Sequence, residues 1–348
     1  MRRRALTLLE LLVVMAVIAV LIGLVLFSLR IVRANAERTR ESNALRQITQ
    51  AYLAYASANE GQLMPGYVSP AAQLQLNIRG YGPDGKMIPD DQLWDSAGWM
   101  WRLSPYLDDW RIGMEGYTSA TFKAEIENEV ARGVLGRSTA TGASDIGIGE
   151  FPAFGLNGVM LGGDDVHLMP HSSGVLGNEA PWDFNSAGTV KAIENLSQAK
   201  APAQTVVFMP TARWGFAGSE LLPTGGNPAT TGVRLGAPIV QPPQLISGTP
   251  GGDWARTEGN ATWWYNEDGS DTGASRQAAG GYAWSDGSGP TGANGFPFDR
   301  RDNADAAGIN IPTSRLDGSI ESVDMFRLMR EMKYWDPQST VFREGTNF

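Results

Sequence analysis

The sequence predicts an α+β protein: a long N-terminal helix followed by an antiparallel-sheet globular domain with a loop-rich insertion. Three observations carry this reading. Residues 1–33, MRRRALTLLELLVVMAVIAVLIGLVLFSLRIVR, set three arginines before a run without charged or polar side chains from Leu11 to Phe27. No Gly or Pro occurs from Ala34 to Glu60. Beyond Gly61, short apolar runs alternate with Gly, Pro, Asn and Asp, and the helical periodicities stand apart from the strand-like ones.

The apolar character of the first segment extends from Ala5 to Leu29, long enough for a helix to cross a hydrocarbon core of roughly 30 Å. Glu10 stands near its start, where an unpaired carboxylate costs about 2.5–3.5 kcal/mol on insertion scales. A plain single-pass anchor accounts for the length and not for Glu10. A secretory signal peptide would use Ala34-Asn35-Ala36 as its cleavage site, but Arg30 and Arg33 intervene and the apolar run exceeds the usual length of about 7–15 residues. Arg2, Arg3 and Arg4 orient the N-terminus to the cytoplasm, with the bulk of the chain beyond the inner membrane. Arg30 and Arg33 on the far side are accommodated by snorkelling.

The helix is expected to continue past the membrane. Leu45, Ile48, Tyr52 and Tyr55 form an apolar stripe, and Gly61 followed by Pro65 marks the stop. A helix from Leu6 to Asn59 would be roughly 80 Å long at 1.5 Å per residue, with Gly23 a soft point. The expected organisation is therefore a membrane-crossing segment at 6–29, an amphipathic segment at 34–60, and an exported domain at 61–348.

Within that domain, residues 92–110 with their four tryptophans predict a short helix with Trp99, Leu103 and Leu107 near one face. Phe122, Ile126 and Val130 predict a second, closed by Gly133. Gly155–Leu161 and Thr205–Pro210 read as buried strands. Ile309–Ile311 and Ser319–Val323 flank an Asp317-Gly318 hairpin turn, and a short helix is expected over Val323–Met332. Residues 215–300, rich in Gly, Pro, Thr, Ser and Asp but dotted with aromatics, read as an ordered, loop-rich insertion.

Residues 1–65 hold eight Arg and four Glu, net +4; with −9 overall, the remainder carries −13. So acidic an exported part argues against nucleic-acid binding and for a soluble, self-repelling domain or one that handles cations. With no cysteine, the domain rests on its own core.

The stretch Leu6-Thr7-Leu8-Leu9-Glu10-Leu11-Leu12-Val13-Val14 resembles the N-terminal signature of type IV prepilins and type II secretion pseudopilins. The resemblance implies a leader of residues 1–5, cleavage by a prepilin peptidase between Ala5 and Leu6, and N-methylation of Leu6. It gives Glu10 the role of neutralising a neighbouring subunit's N-terminal amine during assembly, in line with the physics of a paired charge in lipid. Ala5 stands where the family has Gly, and Leu6 where it has Phe. The implied partners are the peptidase, other pilin or pseudopilin subunits, an assembly platform and inner-membrane lipid. The implied fold is type IV pilin-like.

Further marks are similar to large prepilin-type proteins common in planctomycetes: Trp101-Arg102-Leu103-Ser104-Pro105-Tyr106-Leu107, Phe154-Gly155-Leu156-Asn157, Pro202-Ala203-Gln204-Thr205-Val206-Val207-Phe208, and Asp317-Gly318-Ser319-Ile320 with Trp335. Ala307 occupies the position of that family's histidine, so no role for it carries over.

Other chemistry is thinly represented. Asp164, Asp165, His167 and His171 have metal-ligand chemistry, but Gly162, Gly163 and Pro170 favour a solvated turn. No Cys nucleophile, G-x-S-x-G elbow or Walker A motif is present, so no enzyme is expected. Asn266, Asp268, Ser270 and Asp271, and Asp299, Asp302 and Asp305, read either as calcium ligands or as turn formers and solubilisers. No cofactor beyond such structural calcium is expected. Trp263-Trp264 would place one indole outward from a strand, a surface for a carbohydrate or protein partner. That leaves two expectations: a filament subunit of a pseudopilus or pilus-like fibre, or a membrane-anchored periplasmic or surface ligand- or carbohydrate-binding module.

Overall fold

A computed structural model describes residues 8–68, 70–117, 120–133, 135, 148–149, 152–158, 160–163, 193–213, 236, 238–240, 310–324, 327–328, 334–335 and 337, and the strand backbones at 244–246, 256–257, 262–264, 282–285 and 294–297. The chain divides into two compact units, residues 1–41 and 42–348. Helix α1, Leu8–Ala58, contributes to both.

In the first unit every described side chain from Leu9 to Val32 is exposed, on all faces of the helix. Ser28 and Thr39 donate their hydroxyls to the carbonyls of Leu24 and Asn35, each at 2.9 Å, so neither needs an outside partner.

In the second unit the apolar stripe is buried as the spacing predicts. Leu45, Ile48 and Tyr52 are fully buried, and Tyr55 packs half-buried against the same core. The helix stops where expected: Glu60 and Gly61 take φ of 55° and 84°, and the Gly61 N–H donates to the Ala56 carbonyl at 2.7 Å. Around this stripe, Tyr52 and Trp99 meet Phe208 edge-on at centroid distances of 5.7 and 5.2 Å. The buried indole N–H groups are satisfied: Trp99 donates to Phe154 at 3.0 Å, Trp101 to Leu135 at 2.8 Å and Trp335 to Leu328 at 2.6 Å, each to a backbone carbonyl.

Two further helices are α2, Pro70–Leu76, and α4, Ala120–Ala131; α4 buries Phe122, Ile126 and Val130 and gives way to Gly133 at φ 85°, as the sequence predicts. The single helix expected over 92–110 is instead broken into pieces. They are a 3-10 helix at Asp90–Ser96, the one-turn α3 at Met100–Leu103, and 3-10 turns at Ser104–Tyr106 and Trp110–Met114. The physical reasons are local. Gln92 departs from helical backbone at φ −120°, and Leu107, after Pro105, is extended. Asp109 then caps a new turn by accepting from the Arg111 N–H.

The strands are β1 Phe154–Leu156, β2 Phe208–Arg213, β3 Ile239–Val240, β4 Gln244–Ile246, β5 Arg256–Thr257, β6 Thr262–Trp264, β7 Tyr282–Ser285, β8 Asn294–Pro297, β9 Asn310–Ser314 and β10 Ile320–Asp324. β1-β2-β8-β3 closes on itself, β5-β4-β7-β6 forms a four-stranded sheet, and β9-β10 is a hairpin. The expectation of purely antiparallel pairing is corrected: β1 with β3, β3 with β8 and β4 with β5 are parallel. For β1 with β3 and β3 with β8, the intervening stretches 157–238 and 241–293 exceed the dozen or so residues that a parallel crossover needs. The segment expected to be a loop-rich insertion, 215–300, supplies β3 to β8.

Two strands are displaced from their expected bounds. β1 ends at Leu156, short of Leu161, because Gly158 packs backbone against Gly66; a Cβ there would lie 2.4 Å from the Gly66 Cα. β2 runs Phe208–Arg213 rather than Thr205–Pro210. Pro210 is tolerated because it sits where β2 changes neighbours, paired with β1 through Pro210 and with β8 from Thr211. The Asp317-Gly318 hairpin forms as predicted, with Gly318 at φ 85° and pairing from Ile320–Ser314 to Asp324–Asn310. Of the expected helix over 323–332, Arg327 and Leu328 are helical, Val323 and Asp324 belong to β10, and the rest lies outside the described residues.

The elements singled out in the sequence converge in this core. The Asn157 side-chain amide donates to the carbonyls of Val206 at 3.1 Å and Trp335 at 3.0 Å. Val206 in turn donates its N–H to Tyr334 at 2.7 Å, and Val207 to Ser314 at 2.8 Å. Arg315, almost wholly buried, stacks its guanidinium 4.6 Å from the Tyr334 ring centroid and pairs with Glu321 at 2.7 Å.

Candidate functional site

The first candidate is the N-terminal part of α1. Glu10 is the third residue of the helix; its side chain, like Ala5 and Leu6 entirely, lies outside the described residues. Leu11 to Leu26 are described in full, and all are exposed. A helix apolar on every face has no water-facing side, so it belongs in a protein core or in lipid. Among the described residues no helix is long and apolar enough to cross a membrane. The stretch 11–26 covers about 24 Å at 1.5 Å per residue, short of a core of roughly 30 Å. The apolar sequence itself runs on through Phe27, whose side chain is not among those described, to Leu29.

The second candidate lies in the second unit and was not anticipated: an open cleft of about 860 Å³. Tyr55 and Asn59 from the last turns of α1 form one wall, continued by Gln62 and Leu63. The residues after α2, Leu76 to Arg79, and a short turn carrying Tyr81 form another. That turn is built from Pro83-Asp84-Gly85. Tyr81 and Met87 bridge across it, the Gly82 N–H donates to Lys86 at 2.8 Å, and the Tyr81 N–H donates to Trp101 at 2.8 Å. Ser104, Pro105 and Tyr106 close a third side.

Arg102 forms the floor. It is buried, and its guanidinium donates to the carbonyls of Pro65 at 2.7 Å, Gly66 at 2.6 Å, Gly98 at 2.9 Å and Ala97 at 3.1 Å. These bonds fix the 65–66 segment against Gly158, making the floor rigid. Tyr55 and Tyr106 meet edge to face at 5.8 Å. Burial raises the Tyr55 phenol above its ordinary pKa of 10.0; the Arg102 charge opposes this and Tyr106 adds to it. Burial pushes the Tyr52 phenol beneath far higher, with Tyr55 adding and Arg102 opposing.

The other anticipated residues fall elsewhere. Asp268, Asp271, Asp299 and Asp302, with Asn266, Ser270 and Asp305, lie outside the described residues, as do Asp164, Asp165, His167 and His171. Trp263 and Trp264 have described backbone in β6, in register with Trp284 and Ala283 of β7. Their side chains lie outside the described set. Among the described residues no cluster of three or more His, Cys, Asp or Glu is placed to hold a metal. The signal for the cleft in the sequence is one that also reads as a helical face and as a mark of the prepilin-type resemblance. Arg102, Ser104, Pro105 and Tyr106 all belong to the Trp101–Leu107 element, and Tyr55 ends the helical stripe.

Comparison with known proteins bears on the first candidate. No curated protein and no solved structure matches the chain. Residues 1–26 match the family described as the prokaryotic N-terminal methylation motif. The chain therefore begins with the prepilin-type signal found on pilin- and pseudopilin-like precursors, which implies in general a prepilin peptidase and assembly with other pilin subunits.

Proposed function

We propose that the protein is a non-catalytic subunit, cut between Ala5 and Leu6, N-methylated on Leu6 and assembled through α1 into a pseudopilus or pilus-like fibre. The carrying observation is the methylation motif at residues 1–26 on a helical stretch, Leu9 to Val32, whose described apolar side chains are exposed on every face. Before assembly, residues 6–29 sit in the inner membrane with the globular domain on the far side. The hydroxyl of Ser28, satisfied by Leu24 within the helix, fits an apolar surround. In the fibre, helix packing and the pairing of Glu10 with a neighbour's Leu6 amine hold subunits together. A type IV pilin-like arrangement of the exported domain belongs to the same reading.

The test is the mass of the N-terminus in protein extracted from membranes of the source cell. Methylated Leu6 is the expected species, and an intact Met1 would defeat the reading in favour of an unprocessed anchor. Glu10→Ala is expected to be cleaved as the parent is, yet to be missing from sheared fibres. Normal incorporation of that variant would sink the pairing.

A further inference from the structure

Every wall of the open cleft ends in a group suited to a polyhydroxylated ring. Tyr81 and Tyr106 are half-buried residues that line the space. Tyr106 is braced edge-on by Tyr55, and Tyr81 is fixed by its backbone bond to Trp101. The amides of Asn59, Gln62 and Asn77 and the Ser104 hydroxyl line the same space. Asn59 Nδ2 already donates to the Tyr55 carbonyl at 2.7 Å and the Ser104 hydroxyl to the Gly82 carbonyl at 3.4 Å, which leaves their oxygens to accept beside the Gln62 and Asn77 amides. The volume of about 860 Å³ falls within the range of roughly 300–1,000 Å³ typical of ligand sites. The floor needs no rearrangement, because Arg102 already locks it through four carbonyls.

Charge selects among ligands. Arg79 is held by Asp90 at 2.6 Å, and the Arg102 donors are directed at backbone carbonyls rather than into the opening. Glu194 adds a carboxylate at the edge, and the chain beyond residue 65 is strongly acidic. An anionic ligand is therefore disfavoured and a neutral one admitted. A bound peptide would want a free strand edge or a continuous apolar groove. Among the described residues the lining offers neither: its strand content is two isolated bridges, Tyr81–Met87 and Gln62–Asn195, and its apolar side chains are scattered.

We propose that this cleft binds a neutral saccharide, stacked on Tyr81 and Tyr106 and hydrogen-bonded by the surrounding amides. The inference is independent of filament assembly, and Glu10→Ala protein is expected to retain it. The test is affinity electrophoresis of the full-length protein in detergent micelles, through native gels cast with soluble starch, laminarin or arabinoxylan. At least one polymer is expected to retard the protein. Tyr81→Ala and Tyr106→Ala should each weaken the apparent affinity by about two- to tenfold, the scale of one aromatic contact. Tyr106→Phe should keep most of it, and Gln47→Ala, at an exposed position outside the lining, all of it. Near-UV circular dichroism checks that each variant is folded; should Tyr106→Ala unfold, Tyr81→Ala on the exposed turn decides. Absence of retardation in all three gels, or equal retardation of parent and folded tyrosine variants, would overturn the proposal. So would displacement of the polymer by unfolded carboxymethylated casein, which would assign the cleft to peptide.

Discussion

Replacing Asn157 with alanine tests how strongly this side chain, beside the backbone bonds to Tyr334 and Pro337, holds the C-terminal segment to the core. Its amide donates to Val206 at 3.1 Å and to Trp335, 178 positions away, at 3.0 Å, both carbonyl acceptors. The substitution removes two hydrogen bonds, each worth about 0.5–1.5 kcal/mol net, and strips two acceptors in a dry region of this donor. The Asn157 Oδ1 is buried without a partner, so deleting it returns part of that loss. The balance is a destabilisation of about 2–4 kcal/mol, or roughly 3–7 °C in melting midpoint for a domain of this size. Scanning calorimetry of the full chain in detergent measures it, with near-UV circular dichroism reporting the packing of Trp335. Asn157→Asp adds a sign check. At neutral pH it turns a carboxylate towards two carbonyls, and as pH falls the protonated acid regains one donor, so its defect should shrink. A midpoint for Asn157→Ala within about 1 °C of the parent would refute the reasoning, since it falls below the smallest shift that this balance allows.

Two further outcomes follow from the same core. Tyr52 and Tyr55 should ionise above the ordinary phenol value of 10.0 in an alkaline absorbance titration, because burial holds both phenols protonated. Unfolded, each would lose its proton near the ordinary value of 10.0, so the folded state binds more protons above that pH. Their contribution is intact below pH 10 and is lost as pH rises beyond it; a single transition of all nine phenols in natively folded protein would contradict this. Leu45→Ala, at a fully buried site on α1, should cost about 2–5 kcal/mol in urea denaturation, whereas exposed Gln47→Ala should change stability by no more than about 0.5 kcal/mol. Equal effects would mean that this part of α1 does not belong to the core.

What the sequence made legible was local. The α1 stripe, its Gly61 stop, the 122–126–130 face of α4 and the Asp317-Gly318 hairpin were readable because each is fixed by periodicity or by a residue tolerant of positive φ. What escaped was decided by distant partners. The strand β1 stops where Gly158 meets Gly66, and nothing within the stretch 154–161 announces that contact. Parallel pairing of β1 with β3 depends on a stretch of chain whose length, rather than pattern, permits it. The four-tryptophan stretch looked helical because its apolar residues recur at helical spacing, yet Gln92, Pro105 and Asp109 divide it into turns. Ala5, Leu6 and Glu10 were legible as a motif, and the motif match at residues 1–26 bears on the segment without describing their side chains.

The local geometry that keeps the cleft out of the sequence pattern also constrains what it can be. Trp101 and Leu103 are fully buried, while Arg102 between them reaches the cleft floor and Ser104, Pro105 and Tyr106 line its side. A single turn of α3 passing directly into a 3-10 turn is what allows this: successive residues fan around a tight axis, so neighbours in sequence face core and opening in quick alternation. Read as a pattern, the element is a packing signature, and its aromatic and apolar residues account for it completely. Read in three dimensions, the residues the pattern leaves over make the site. The wall is thus as rigid as the core behind it. Truncating Leu103 would displace Tyr106 and Arg102 along with the packing, so loss of binding there would report on the fold. Tyr81, held at the cleft by a turn outside the core cluster, is the position where binding and folding separate.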